Sequence, residues 1–215
     1  MKLKKIASLA LAGIMAVSML AGCKDGGNSN SGSSSSGTTV TTTPIVSAVN
    51  SELSEKQKEL LTFSSDAKLA SALSKAAEEV TAAMITNAGT PSILSYDSGD
   101  EENVIKKIEN AYDGSSPAIQ AMNTFVPTGN LNARYLLTYM VDGSVASVDD
   151  VASFVVKGTN GLVSLFYQVG GIAGNDDFNY EYTGYAEMTE VTNDNTGDSA
   201  YLVAVLIERD VTAKV

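Results

Sequence analysis

The stretch that most constrains this chain's fold lies near its C-terminal end. In residues 180–191 the side chains alternate: Tyr180, Tyr182, Ala186 and Met188 fall on one side, and Glu181, Thr183, Glu187 and Thr189 on the other. A period of two describes a strand with one face turned to a core. Residues 201–207 are continuously apolar, which suits a central strand covered on both faces. The polar segment 193–199 between the two runs predicts an antiparallel hairpin. Other elements must therefore cover the sheet.

Upstream segments supply candidates. Residues 54–61 open with Ser54-Glu55-Lys56-Gln57, the Ser-x-x-Gln form of a capping box. Residues 66–86 carry Leu69, Leu73, Ala76, Val80 and Ala83 at three- and four-residue steps, which predicts one long helix. A second capping box at Ser98 to Glu101 opens a helix with Val104, Ile105, Ile108 and Tyr112 on one face, closed near Gly114. Ser116-Pro117 reads as an N-cap with proline at the first helical position, starting a short helix through Ile119, Met122 and Phe125. Residues 131–141 return to period two and predict a strand, and Ser147 with Asp149 and Asp150 starts a helix through Val151, Phe154 and Val155. Residues 162–169 fit a helix or a buried strand, with helix favoured, and residues 170–177 read as a loop. The expected fold class is α+β: an antiparallel sheet of three or four strands packed by helices, with an α-β-α sandwich as one form of it.

The N-terminus is different in kind. Lys2, Lys4 and Lys5 precede an uncharged, mostly apolar run at residues 6–20. That run is short of the ~20 apolar residues a spanning helix needs, and it suits an export signal. Leu20-Ala21-Gly22-Cys23 resembles the lipobox of bacterial lipoproteins. The resemblance implies cleavage before Cys23, a diacylglycerol thioether on its sulfur and a fatty acyl group such as palmitate on the new amino end. Cys23 is the only cysteine, so no intramolecular disulfide competes with that role. Residues 24–43 are rich in Ser, Gly, Asn and Thr, with Val40 the one apolar side chain, and read as a flexible spacer. The expected organisation is a signal at 1–22, a lipidated Cys23 with a linker at 23–43, and one domain at 44–215. The expected location is the outer face of the cell membrane, through lipid on Cys23.

A second resemblance concerns the folded part. Ser65-Asp66-Ala67-Lys68-Leu69-Ala70-Ser71-Ala72-Leu73-Ser74-Lys75-Ala76-Ala77 is similar to a helix of the CAP superfamily, the cysteine-rich secretory and pathogenesis-related proteins. Gly184-Tyr185-Ala186 followed by residues 201–206 is similar to that family's closing strand pair. The resemblance implies an α-β-α sandwich over roughly residues 62–209. The family's central cation site uses histidines; this chain has none, so the site does not carry over.

Composition narrows the chemistry. The formal charge is −11, and loss of the signal would remove three lysines and no acid. Such a surface argues against nucleic acid as a partner. Without histidine or a second cysteine, Ser-His-Asp and Cys-His catalysis and the usual zinc sites are excluded. Chemistry is left to Asp, Glu, Lys, Tyr, Ser and Thr, or to a hard cation on oxygen ligands.

Several constellations can be weighed. Asn175, Asp176 and Asp177, and separately Asn193, Asp194, Asn195 and Asp198, are oxygen-rich loops that Ca2+ could use. Neither has EF-hand spacing, and turn chemistry accounts for the same residues. Glu181 and Glu187 share a strand face about 20 Å apart, too far for a glycosidase pair at ~5–10 Å, and read as solvated or cross-strand positions. Lys75 near Ser71 and Ser74 reads as a solvated helix lysine, and Gly170, Gly171 and Gly174 lack a phosphate-loop context. Tyr135, Tyr139, Tyr180 and Tyr182 on strands are rings with hydroxyl tips, suited to glycan or peptide binding as well as to core packing. The leading expectation is a non-catalytic binding module at the envelope, taking glycan, peptide or protein and needing no cofactor. The rivals are a carboxylate-dependent hydrolase of wall glycan or peptide, and a calcium-stabilised structural domain.

Overall fold

A computed structural model of the chain describes residues 38–88, 92–94, 99–121, 131–143, 146–157 and 177–215. All of these belong to one compact unit, Ser33–Val215. The expected structures at Ser98, Met122, Phe125 and residues 162–176 lie outside the described residues.

The hairpin is present and long. Strand β6 (Phe178–Asn193) pairs antiparallel with β7 (Ser199–Ala213), from Phe178↔Ala213 to Thr192↔Ser199. Its turn is built by Asn193, whose backbone carbonyl accepts from the Thr196 and Gly197 amides while its side chain accepts from the Asn195 amide. Gly197 there has φ of +78°, a conformation glycine adopts without steric cost.

The sheet exceeds the expectation. Among the described residues it has seven strands and is mixed, not an antiparallel sheet of three or four. Its path is β1 (Thr38–Thr43), β6, β7, β5 (Ala133–Asp142) and β3 (Ser92–Ile93), all antiparallel neighbours. Two short strands join in parallel: β2 (Phe63–Ser64) on β6 and β4 (Ile119–Ala121) on β5. The coarse class, α+β, stands.

Three differences have physical causes. Thr38–Thr43 is a strand rather than the end of a spacer, with Val40 opposite Val191. Threonine favours the extended backbone, and ladder bonds need no apolar side chain. The segment after Pro117 forms β4, where Arg134 of β5 donates to the Pro117 carbonyl at 3.3 Å. The long helix is broken in two: α3 (Ala67–Ala76), a 3-10 turn (Ala77–Glu79), then α4 (Ala82–Asn87). Val80 is extended, and the Thr81 side chain caps the new helix on the Met84 amide at 3.3 Å. The restart shifts the phase, so Ala83 is exposed and Ile85 buried.

Helices cover both faces. On one face, α1 (Val46–Glu52) and α6 (Val148–Lys157) pack Val49, Val151, Val155 and Val156 on Tyr135, Leu137, Tyr139, Val203, Val205 and Ile207. On the other, α3, α4 and α5 (Gly99–Asn110) pack Leu69, Leu73, Ile85, Val104 and Ile108 on Leu136, Met140, Leu202 and Leu206. The short helix α2 (Glu55–Lys58) carries its expected capping box, with Ser54 and Gln57 bonded reciprocally. Ser147 and Asp150 make the same exchange at the start of α6. Asn50 of α1 holds β2, donating to the Phe63 carbonyl at 2.8 Å and accepting from its amide at 2.9 Å. Strand β2 then lies so close to β6 that a Cβ at Gly184 would meet the Phe63 ring at 2.7 Å.

Candidate functional site

The inward period of β7 runs Val203, Val205, Ile207 and then Arg209. A guanidinium thus occupies the position where a further apolar residue would extend the core, and Arg209 is only 3% exposed. The register places Tyr182 of β6 directly opposite it, with Ala133 of β5 on its other side. Tyr180 and Tyr135 complete the surround: the guanidinium carbon lies 5.2 Å from the Tyr180 ring centre and 5.5 Å from that of Tyr135. Such distances give cation–π attraction, stronger where water is excluded. The Arg209 Nη2 also donates to the Leu131 carbonyl at 2.9 Å. Leu131 itself is 73% exposed, whereas Arg209, Tyr135 and Tyr180 are buried.

Three of the four tyrosines singled out by sequence therefore converge on one cation. Burial pushes the Tyr182 phenol up to about 12, and Arg209's positive charge opposes the rise. Burial likewise raises Tyr135, again against Arg209. Tyr135 and Tyr182 face Arg209 as neutral hydrogen-bonding groups at ordinary pH. Tyr139 lies apart from them. It is fully buried and meets Phe154 edge-on, with ring centres 5.7 Å apart, and burial raises its phenol. Its hydroxyl finds no hydrogen-bond partner among the described residues, so core packing describes its role.

The opposite face holds a second polar cluster. The Asp66 carboxylate caps α3 by accepting from the Leu69 amide, and it accepts the Tyr112 hydroxyl at 3.1 Å. The Asp66 amide in turn donates to Glu187 of β6 at 2.8 Å. Glu187 is 8% exposed, which corrects the reading of it as solvated: α3 covers that face of β6. Burial raises its carboxyl above the usual range, against hydrogen bonds from the Asp66 amide and Ser65, and the Asp66 carboxylate adds to the rise. Lys68 sits 4.1 Å over the Tyr112 ring. Nearby, Arg134 pairs with Glu208 across β5 and β7. Glu181 remains exposed, opposite Asp210. The structure thus brings Glu187 to Asp66 and not to Glu181.

The remaining candidates are placed as follows. Asp194 and Asp198 are exposed in the hairpin turn, and the Asp194 carboxylate accepts the Thr39 hydroxyl at 2.7 Å. The Asp177 carbonyl accepts from the Lys214 amide, whereas Asp176 lies outside the described residues. No group of three or more metal-ligating side chains occurs among the described residues. Lys75 is exposed on α3. Cys23 lies outside the described residues, and no helix among them is long and apolar enough to cross a membrane.

Sequence reasoning did not single out Arg209 or the Asp66–Glu187 contact. A signal for Arg209 was present, since carrying the odd-numbered period of β7 two residues past Ile207 puts the arginine on the core face. Nothing local marks Glu187, because its burial depends on a helix far away in the chain. Compared with protein families, curated proteins and solved structures, the chain matches none.

Proposed function

We propose that this chain is a lipid-anchored protein of the bacterial envelope whose α+β domain is a non-catalytic binding module for an envelope glycan, peptide or protein. The observation that carries the binding reading is the convergence of Tyr135, Tyr180 and Tyr182 on Arg209 beside the exposed Leu131. Rings with polar tips around a fixed cation supply stacking area and orientation together. The anchor rests on Leu20-Ala21-Gly22-Cys23 behind its basic and apolar leader. Helices on both faces of the sheet suit a histidine-free variant of the CAP layout. The test is thermal unfolding of full-length protein, extracted in detergent, against a panel of wall glycans and peptides. Occupancy at ~100 times the dissociation constant adds about 2.7 kcal/mol, a rise of several degrees. No shift across the panel would overturn glycan and peptide binding.

One observation favours a second reading, the carboxylate-dependent hydrolase. Asp66 and Glu187 adjoin each other, and Glu187 holds its proton more tightly than a free carboxyl. Both groups already serve the cap of α3, which gives them a structural task. Wall hydrolysis that is lost in Glu187→Gln with the fold intact would promote this reading over the first. The calcium reading rests on Asp194, Asp198, Asp176 and Asp177, and an unfolding temperature unchanged by chelator would end it.

A further inference from the structure

We infer that the outer edge of β1 joins two copies of this chain in an antiparallel β1–β1 ladder, so that their sheets become one across a two-fold axis. The pairing does not depend on what the domain binds. Among the described residues the sheet path ends at β1 on one side and at the two-residue β3 on the other. Proteins blunt such an edge with a lysine, a proline, a bulge or a very short strand. Strand β1 has none of these: its six residues, Thr38–Thr43, are threonines and one valine, in unbroken one-to-one register with β6. Every one of them is β-branched, which favours the extended backbone.

The Thr41 carbonyl accepts the Thr189 hydroxyl of β6 at 3.0 Å, so it is directed at β6. Within an antiparallel strand the amide and carbonyl of one residue leave on the same side, and successive residues alternate. The amides and carbonyls of Val40 and Thr42 therefore point away from β6, where no described strand takes them up. They are self-complementary under a two-fold axis at Thr41. Val40 of each copy bonds Thr42 of the other, and Thr41 meets its counterpart in the closer, non-hydrogen-bonded kind of pair, where threonines contact favourably. Pro44 has no amide to donate and bounds the ladder at each end. The axis is perpendicular to the sheet, so α1 and α6 of both copies stay on one face and α3, α4 and α5 on the other.

Charge singles out a second copy as the occupant. The chain carries −11, yet β1 brings no charge to the joint. Asp194, at one end, accepts the Thr39 hydroxyl at 2.7 Å. Glu190 of β6 stands opposite Thr41 and would lie three strand spacings, about 14 Å, from its counterpart. That exceeds the ~8 Å Debye length at physiological salt. A second copy supplies by identity the neutral, β-branched edge that such a joint needs.

The experiment measures the mass of full-length detergent-extracted protein by analytical ultracentrifugation over about a hundredfold range of concentration, with amide exchange followed by NMR. A dimer that dissociates on dilution is expected. The amides of Val40 and Thr42 should be protected in the dimer and released in the monomer, while that of Thr41 stays protected in both. Thr42→Pro removes an amide that faces away from β6, where an edge strand tolerates proline. It is expected to weaken dimerisation at least about tenfold and to leave the unfolding temperature of the monomer unchanged. Thr41→Lys sets like charges opposite each other and is expected to weaken the dimer in a way that added salt reverses. A dimer that both variants leave intact overturns the inference and puts the contact on another face. A monomer at every concentration overturns it as well, and uptake of a synthetic peptide of residues 38–43 by that monomer would name a free strand as the occupant instead. Should Thr42→Pro fail to fold, Thr41→Lys decides: a weakened dimer supports the inference and an unchanged one overturns it.

Discussion

At Glu187 the sheet and helix α3 are held together by one buried carboxylate, and its environment sets a pH dependence. Its folded pKa is raised, chiefly by burial. The folded state then binds the proton more tightly than the unfolded state. That stabilisation is complete below the ordinary carboxylate value and is lost as pH rises through the folded value. Glu187→Gln should remove this slope. Thermal unfolding at pH 4 and pH 7 should show the wild type losing stability relative to Glu187→Gln on going to the higher pH; parallel curves would refute the assignment. Glu187→Ala differs, because it leaves the Asp66 amide without its acceptor, at a cost of about 1–3 kcal/mol. Gly184 is a second single-residue constraint. Alanine there would press on the Phe63 ring and Leu61, and by the usual cost of overpacking Gly184→Ala should destabilise by about 1–3 kcal/mol in denaturant melts. The tyrosines were legible as a set because alternation alone puts Tyr180 with Tyr182, and Tyr135 with Tyr139, on common faces. Arg209 was not, since a charged residue after an apolar run reads as the end of burial. Its burial depends on three phenols from two other strands.

Among the elements, those written in strong periodicity were readable. The β6–β7 hairpin, β5, α5 and α6 each repeat a pattern over ten or more residues, long enough for the period to show. Strands β2, β3 and β4 have two or three residues each, too few for any period, and exist because a neighbouring strand offers its ladder. The break at Val80 and Thr81 was hidden for another reason: the apolar positions continue through it, and only the threonine cap marks the restart. Strand β1 was masked by composition. Its Thr-rich sequence continues the Ser-, Gly- and Thr-rich composition before it, yet it forms six register pairs with β6. Reading residues 24–37 as a spacer and Thr38–Thr43 as a strand gives opposite expectations on truncation. Removal of residues 24–37 from the full chain should leave the unfolding temperature unchanged within about 1 °C. Removal of residues 24–43 strips the ladder from the β6 edge and uncovers Val191, which is fully buried. That deletion should lower the unfolding temperature by several degrees, with hydrogen exchange in residues 188–193 accelerated. Equal behaviour of the two deletions would show that β1 adds nothing to the domain.

At the scale of the whole fold, the described residues form two apolar cores separated by one sheet, and the central strands belong to both. Leu136 and Leu137 are adjacent on β5, yet each enters a different core, the first with α3 and α5 and the second with α1 and α6. Each is essentially fully buried. Loss of either core would expose a full face of β5 and β7, so neither layer has a stable state without the other. Unfolding should therefore be a single cooperative transition in spite of the two cores. Leu136→Ala and Leu137→Ala should each cost about 2–5 kcal/mol. For a domain of this size that is a fall of roughly 5–15 °C, and both variants should keep one sharp step with an unchanged denaturant slope. Calorimetry checks the point directly, through agreement between the measured and van't Hoff enthalpies. If the cores were independent, Leu136→Ala would split the transition in two, with an early step carrying the signal of α3 to α5. The same comparison bears on the Arg209 site, which is built from the three strands that both cores share. In a one-step unfolder, a ligand at that site raises the stability of the entire domain, so hydrogen-exchange protection should increase at Leu73 on the far face as well as at Tyr182.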